Sequence, residues 1–168
     1  MKVVVNDANI LIDLIDVGLL ELFFQLEFEM NIADSVVNEF ENENDIKRLN
    51  MFTKKGKLKQ HSFESDAIAE IIGYRNRYSS RLSFPDSSCI YLARNLSATL
   101  LTGDRPLTNA ARENDITVHG ILWVFDQLIN AGLMNHKTAC IKLVELMSIN
   151  RRLPVSECKK RLSRWNKS

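Results

Sequence analysis

Cysteine is scarce in this chain and falls into no pattern. Cys89, Cys140 and Cys158 form no CxxC pair and no Cys/His cluster, so neither a zinc site nor a disulfide framework is indicated. No apolar run approaches the roughly 20 residues that cross a bilayer, so no membrane span is expected. Residue 1 leads almost directly into three valines with no signal-peptide cleavage pattern, and a cytoplasmic protein is the expectation. Internal repeats, low-complexity tracts and interdomain linkers are absent. The 168 residues fit one domain large enough to bury a core without staples.

Charge is nearly balanced at +1 but unevenly spread. Residues 151–168 carry seven Lys/Arg and one Glu, a net +6, which leaves the rest of the chain at −5. An acidic body with a basic tail bears on partners rather than on fold. Arg151, Arg152, Lys159, Lys160, Arg161 and Arg164, with Trp165, could track a phosphate backbone and stack a base. The same residues also suit a solvated helix face, or a docking site for an acidic partner segment.

Val3, Val4 and Val5 are β-branched and do not alternate with polar residues, the pattern of a strand covered on both faces. Further strands are expected over residues 27–33, 58–63, 98–102 and 116–119. Helical spacing falls between them. A helix capped by Asp34 or Ser35 should bury Val36, Val37 and Phe40, with the polar run 41–45 ending it at the surface. Pro85 and Pro106 are placed to open helices, with a polar connection over residues 78–84 before the first of them. Gly132 should stop a helix over 121–131, Asn135 should cap one over 136–149, and Pro154 should precede the last. This alternation of β and α argues for a parallel sheet between helical layers.

Four carboxylates stand at comparable places in that order. Asp7 falls where the first strand should end, and ligands of open α/β sheets gather at the carboxyl ends of strands. It would equally serve as a helix cap. Glu39 is expected on the helix after the second strand, Asp86 in the first turn after Pro85, and Asp104 at the end of the strand over 98–102. Singly, each has an ordinary structural explanation. Gathered in one cleft they would be unstable alone, since two carboxylates about 5 Å apart repel by roughly 3 kcal/mol at an effective dielectric near 20. Ligation by oxygen alone selects Mg²⁺ or Mn²⁺ over zinc, and such a site suits phosphodiester hydrolysis. Arg105, beside Asp104, is a local candidate for contact with the scissile phosphate; His61, His119 and His136 are scattered and receive no role.

The chain resembles the PIN domain, a family of metal-dependent nucleases that includes the VapC-like toxins of toxin–antitoxin systems. The resemblance lies in Val4-Val5-Asn6-Asp7-Ala8-Asn9-Ile10-Leu11 and in Ser35-Val36-Val37-Asn38-Glu39-Phe40. It continues in Phe84-Pro85-Asp86-Ser87-Ser88-Cys89-Ile90-Tyr91-Leu92-Ala93 and in Leu100-Leu101-Thr102-Gly103-Asp104-Arg105-Pro106-Leu107, and it extends to about Gly132. It implies a three-layer α/β/α fold with a central, mostly parallel sheet over residues 1–134, and extra C-terminal helices over 135–168 packed on the same domain. It implies further that Asp7, Glu39, Asp86 and Asp104 are the catalytic, metal-binding acids for Mg²⁺ or Mn²⁺. Asn9 and Thr102 would be their polar neighbours on the substrate side. RNA would be the substrate, a cognate antitoxin a partner, and a homodimer a common assembly. Asn6 departs from the family's usual apolar residue before the first acid. A receiver domain would require an acidic pair at the first strand and a lysine at the last. A haloacid-dehalogenase-type phosphatase would require Asp-x-Asp where this chain has Asp7-Ala8-Asn9. A PIN-like RNA-binding or assembly module without catalysis remains the alternative reading.

Overall fold

The computed structural model describes residues 1–78 and 81–167. Its centre is a five-stranded, all-parallel sheet of β1 (Lys2–Asn6), β2 (Phe28–Ala33), β3 (Leu58–His61), β4 (Thr99–Leu101) and β5 (Val118–His119), in spatial order β3-β2-β1-β4-β5. The valine run makes β1 the middle strand: Val4 lies between Met30 and Thr99, and Val4 and Val5 are fully buried. From β1 the chain builds outward to β2 and β3, then returns to the opposite side of β1 for β4 and β5. The carboxyl ends of β1 and β4 therefore flank the point where strand order reverses, which is where open α/β sheets place their ligands.

Helices cover both faces. On one, α6 (Phe84–Asn95) packs against β1, β2 and β4, with α5 (Ser65–Tyr78) and α7 (Arg105–Glu113) beside it. On the other, α1 (Ala8–Asp16) and α2 (Leu20–Phe23) lead to α8 (Ile121–Asn130), which is followed outward by α9 (His136–Ile149) and α10 (Val155–Asn166). The short α3 (Asp34–Val37) follows β2, and α4 (Glu43–Lys54) leads into β3. The fold is the three-layer α/β/α arrangement expected from the sequence. No helix among the described residues is long and apolar enough to cross a membrane.

Several expected boundaries hold to within a residue. Asn135 caps α9 by accepting from the Thr138 amide, and α8 ends at Asn130, two residues before Gly132, whose φ of +70° is a conformation glycine adopts without strain. Others shift. Neither Asp34 nor Ser35 caps α3; Ala33 occupies the cap position with no side-chain bond, and α3 is a single turn. The polar run after it does not end a helix, because Asn42 caps α4 and Glu43 and Asp45 form that helix's first turn. Acidic side chains at a helix N-terminus complement its dipole, so this run marks a start. Pro85 and Pro106 are each the second helical residue. The connection over 78–84 includes Ser79 and Ser80, which lie outside the described residues, as does Ser168.

The basic tail belongs to the core on its inner face. Cys158 and Trp165 are buried, with Leu162 packed against the core between them, and the Trp165 indole stacks on Phe125 at 6.2 Å. That burial withdraws Trp165 from stacking a base. Arg161 and Arg164 both bond Asp126 of α8, tying α10 down.

Candidate active site

Asp7 follows the last residue of β1, and its backbone amide continues the ladder by donating to Leu101 O on β4. With φ −86° and ψ 153°, it leaves the strand and caps α1 in one step, accepting from the Ala8 amide through Oδ1 at 2.8 Å. The capping role open to Asp7 in the sequence is therefore one it fills. Its other oxygen, Oδ2, accepts from Thr102 Oγ1–H at 2.7 Å and from the Asn9 side-chain amide. Asn9 in turn accepts from the Gly103 amide, and Thr102 Oγ1 accepts from the Asp104 amide. This network fastens the end of β1 to the turn after β4.

Asp104 caps α7 through Oδ2, which accepts from the Leu107 amide at 2.9 Å. Asp86 is the third residue of α6 and closes a capping box: Ser83 Oγ accepts from the Asp86 amide, and Asp86 Oδ2 accepts from the Ser83 amide at 2.7 Å. Each of these caps engages a single carboxylate oxygen. Glu39 is not on a helix, contrary to expectation. It lies two residues past the end of α3, where its amide bonds back to Val36 O in a tightened turn, and it is exposed.

The acids sense one another. Burial raises the Asp7 carboxyl to about 6, helped by the charges of Asp86 and Asp104 and opposed by the Thr102 bond. Although Glu39 is exposed as a residue, its carboxyl is partly desolvated, which raises it to about 7, with the charges of Asp7 and Asp86 adding to it. Asp86 is raised by desolvation and by Asp104, against the bonds from Ser83. The fold thus brings all four predicted acids into one electrostatic neighbourhood at the switch point of the sheet.

Sequence reasoning passed over Cys89, one turn after Asp86 on α6. It is fully buried among the acids, and desolvation together with Asp7, Asp86 and Glu39 pushes its thiol well up. A protonated thiol there is packing rather than a ligand. The donors that remain are oxygens, which fits a hard divalent cation. Two buried oxygens close by in sequence, Asn6 Oδ1 and Ser35 Oγ, have no hydrogen-bond partner. As the side chains stand, however, no group of three or more His, Cys, Asp or Glu among the described residues is arranged to hold a metal ion.

Beyond Asn9, Thr102 and Asp104 opens a cleft of about 1020 Å³, at the upper end of the ~300–1,000 Å³ of small-molecule sites. Arg105 lines it, as expected of a residue beside the acids, and so do His119, Trp123, Arg151 and Arg152. His119 stacks on Trp123 at 4.4 Å, while His61 bonds the Asn31 side chain in the sheet.

A search of curated proteins gives no match. A family model described as a PIN domain matches residues 3–167, so the match includes α9 and α10 as well as the sheet and its acids. PIN domains are generally nucleases, and those nucleases generally use divalent metal ions. With a parallel sheet of this topology and carboxylates gathered where its strand order reverses, the chain belongs to the PIN-domain family.

Proposed function

We propose that this PIN domain is a metal-dependent endoribonuclease in which Asp7, Glu39, Asp86 and Asp104 hold Mg²⁺ or Mn²⁺. The observation that supports this most is that Asp7, Glu39 and Asp86 are each raised at one sheet edge, first by burial and then by the charge of a neighbouring acid. Buried carboxyls crowded by like charge are relieved by a cation, and strongly perturbed groups cluster at functional sites. When bound, such a cation supplies Lewis acidity to a phosphoryl oxygen and lowers the pKa of water.

The chain's own groups then have definable tasks. Thr102 Oγ1–H and the Asn9 amide hold Asp7 Oδ2 in place, so the carboxylate needs no reorganisation when substrate arrives. The caps fix Asp86 and Asp104 on rigid helix ends. Arg105 is exposed in the cleft beside Asp104, and in this reading it meets the scissile phosphate. The setting we propose, on the resemblance to VapC-like toxins, is a toxin held by a cognate antitoxin.

The test is cleavage of a labelled single-stranded RNA. Activity is expected with Mg²⁺ or Mn²⁺, none with EDTA, and none for Asp7→Asn with its circular dichroism intact. A second reading, an RNA-binding module without catalysis, draws on the capped orientation of Asp86 and Asp104. Binding of the same RNA without cleavage in either ion would decide for it. Growth arrest on expression, relieved by Asp7→Asn, would support the toxin setting; unimpaired growth with an active enzyme would remove it.

A further inference from the structure

The cleft's far wall is the turn between α9 and α10, and it is built with care at one residue. Asn150 donates through Nδ2 to both oxygens of Asp13 on α1, at 3.0 Å each, and its Oδ1 accepts from the Arg152 amide at 2.9 Å. One side chain thereby moors the turn to the helix that Asp7 caps and fixes the backbone that carries two exposed arginines. Arg161 and Arg164 are engaged by Asp126, Arg161 also by Glu157, and Lys160 by Glu157. Among the described residues no carboxylate lies within ion-pair distance of Arg151 or Arg152. His119, level with Leu101 at the edge of the sheet, lines the same cleft, and the plane of its ring lies 4° from that of Trp123. Burial and the charge of Lys2 hold its imidazole below the ordinary value, which favours the neutral ring.

Resting on the nuclease reading above, we infer that Arg151 and Arg152, held by the Asn150–Asp13 tie, carry the phosphates of a single-stranded RNA leaving the carboxylates, with a base laid on the His119–Trp123 stack. An unpaired base has a face to offer an aromatic platform, and a base inside a duplex does not. Guanidinium pairs recognise phosphate in a way that a solvated helix face does not.

The experiment is fluorescence anisotropy of a labelled 20-nucleotide RNA at several salt concentrations, in the full chain carrying Asp7→Asn so that the strand survives. Arg151→Ala/Arg152→Ala is expected to weaken binding about tenfold and to lower the salt slope by about 1.4, two phosphate contacts at ~0.7 each. Asn150→Ala removes no charge, yet should lower the same slope, which a purely structural role would leave alone. His119→Ala should weaken binding about fivefold or more with the slope unchanged, as expected for loss of a stacked base. Lys54→Ala/Lys55→Ala, at the end of α4, removes equal charge elsewhere and should change neither quantity. If the paired arginine variant behaves like that control, the inference is overturned. Loss of binding to poly-glutamate without loss of RNA would also overturn it, in favour of an acidic protein partner. Cleavage by the chain with Asp7 intact reports the nuclease reading separately: an intact arginine effect without cleavage sinks that reading and leaves this path standing. No RNA binding at all sinks both.

Discussion

The Thr102 hydroxyl lies 2.7 Å from Asp7 Oδ2 and 3.0 Å from the Asp104 amide nitrogen, so one buried side chain of the turn after β4 orients two acids. A hydroxyl that donates to one carboxylate and accepts from the backbone of another cannot be replaced by an isosteric methyl. Thr102→Val keeps the volume and removes both bonds, together with a longer one that the hydroxyl accepts from the Asn9 side-chain amide at 3.3 Å. Because the Thr102 bond holds Asp7 down against burial, its loss should raise that carboxyl further. A hydrogen bond to a charged group contributes ~1.5–3 kcal/mol, so kcat/KM is expected to fall about 10- to 100-fold. The acidic limb of the pH–rate profile should move upward as well. An unchanged limb would separate Thr102 from Asp7.

Asp7 also carries a pH signature in stability. Its carboxyl is raised from 3.8 to about 6, so between those values the native state keeps a proton that the unfolded chain has released. Stability of the metal-free protein therefore falls as pH rises through that window, and stays lower above it. Asp7→Asn, which retains an oxygen to accept from the Ala8 amide, removes the penalty. The variant's amide turns toward the Thr102 and Asn9 donors at every pH, so the readout is the pH dependence: in urea with EDTA its stability relative to the unsubstituted protein is expected to rise by about 1–3 kcal/mol between pH 4 and pH 7.5. Mg²⁺ or Mn²⁺ should raise the Tm of the unsubstituted protein and not that of the variant.

The succession of strands and helices along the chain and the local positions of Asp7, Asp86 and Asp104 were legible because each depends on local chemistry: a valine run that stops, a proline at a helix start, a Gly-Asp turn. Glu39 lies outside the helix expected for it, since nothing in Val36-Val37-Asn38-Glu39 announces that the helix lasts one turn. The inner face of α10 was readable and overlooked. Cys158, Leu162 and Trp165 fall at helical spacing, but the arginines and lysines between them suit a solvated face or a charged partner equally well and hide the buried stripe. The tie between Asn150 and Asp13 joins residues 137 apart, and no local pattern could have indicated it.

Burial of Trp165 leads to a prediction opposite to that of a dispensable tail. Its indole is 4 % exposed and packs on Phe125. Truncating a buried tryptophan costs about 3–5 kcal/mol. Trp165→Ala should therefore lower the urea midpoint markedly, and deletion of residues 158–168 should lower Tm by at least as much. By contrast, Lys159→Ala, at an exposed position of the same helix, should leave the midpoint within error. A deletion that melts normally would show that α10 is not part of the core.

The capping box on α6 distinguishes a structural acid from a ligand. Ser83→Ala deletes the hydroxyl that accepts from the Asp86 amide, and loss of such a cap costs ~1 kcal/mol of stability. If Asp86 only begins a helix, that loss is the whole effect. If Asp86 also holds the cation, its orientation depends on the box, and disturbing a partner behind a ligand weakens metal affinity by about tenfold or more. The Mn²⁺ concentration that half-activates RNA cleavage should then rise about tenfold, while kcat at saturating Mn²⁺ stays unchanged. Ser83→Thr, which keeps a capping hydroxyl, should restore the original activation curve. A curve that does not move in Ser83→Ala, with the stability loss present, would place Asp86 among the caps and leave Asp7, Glu39 and Asp104 to hold the ion.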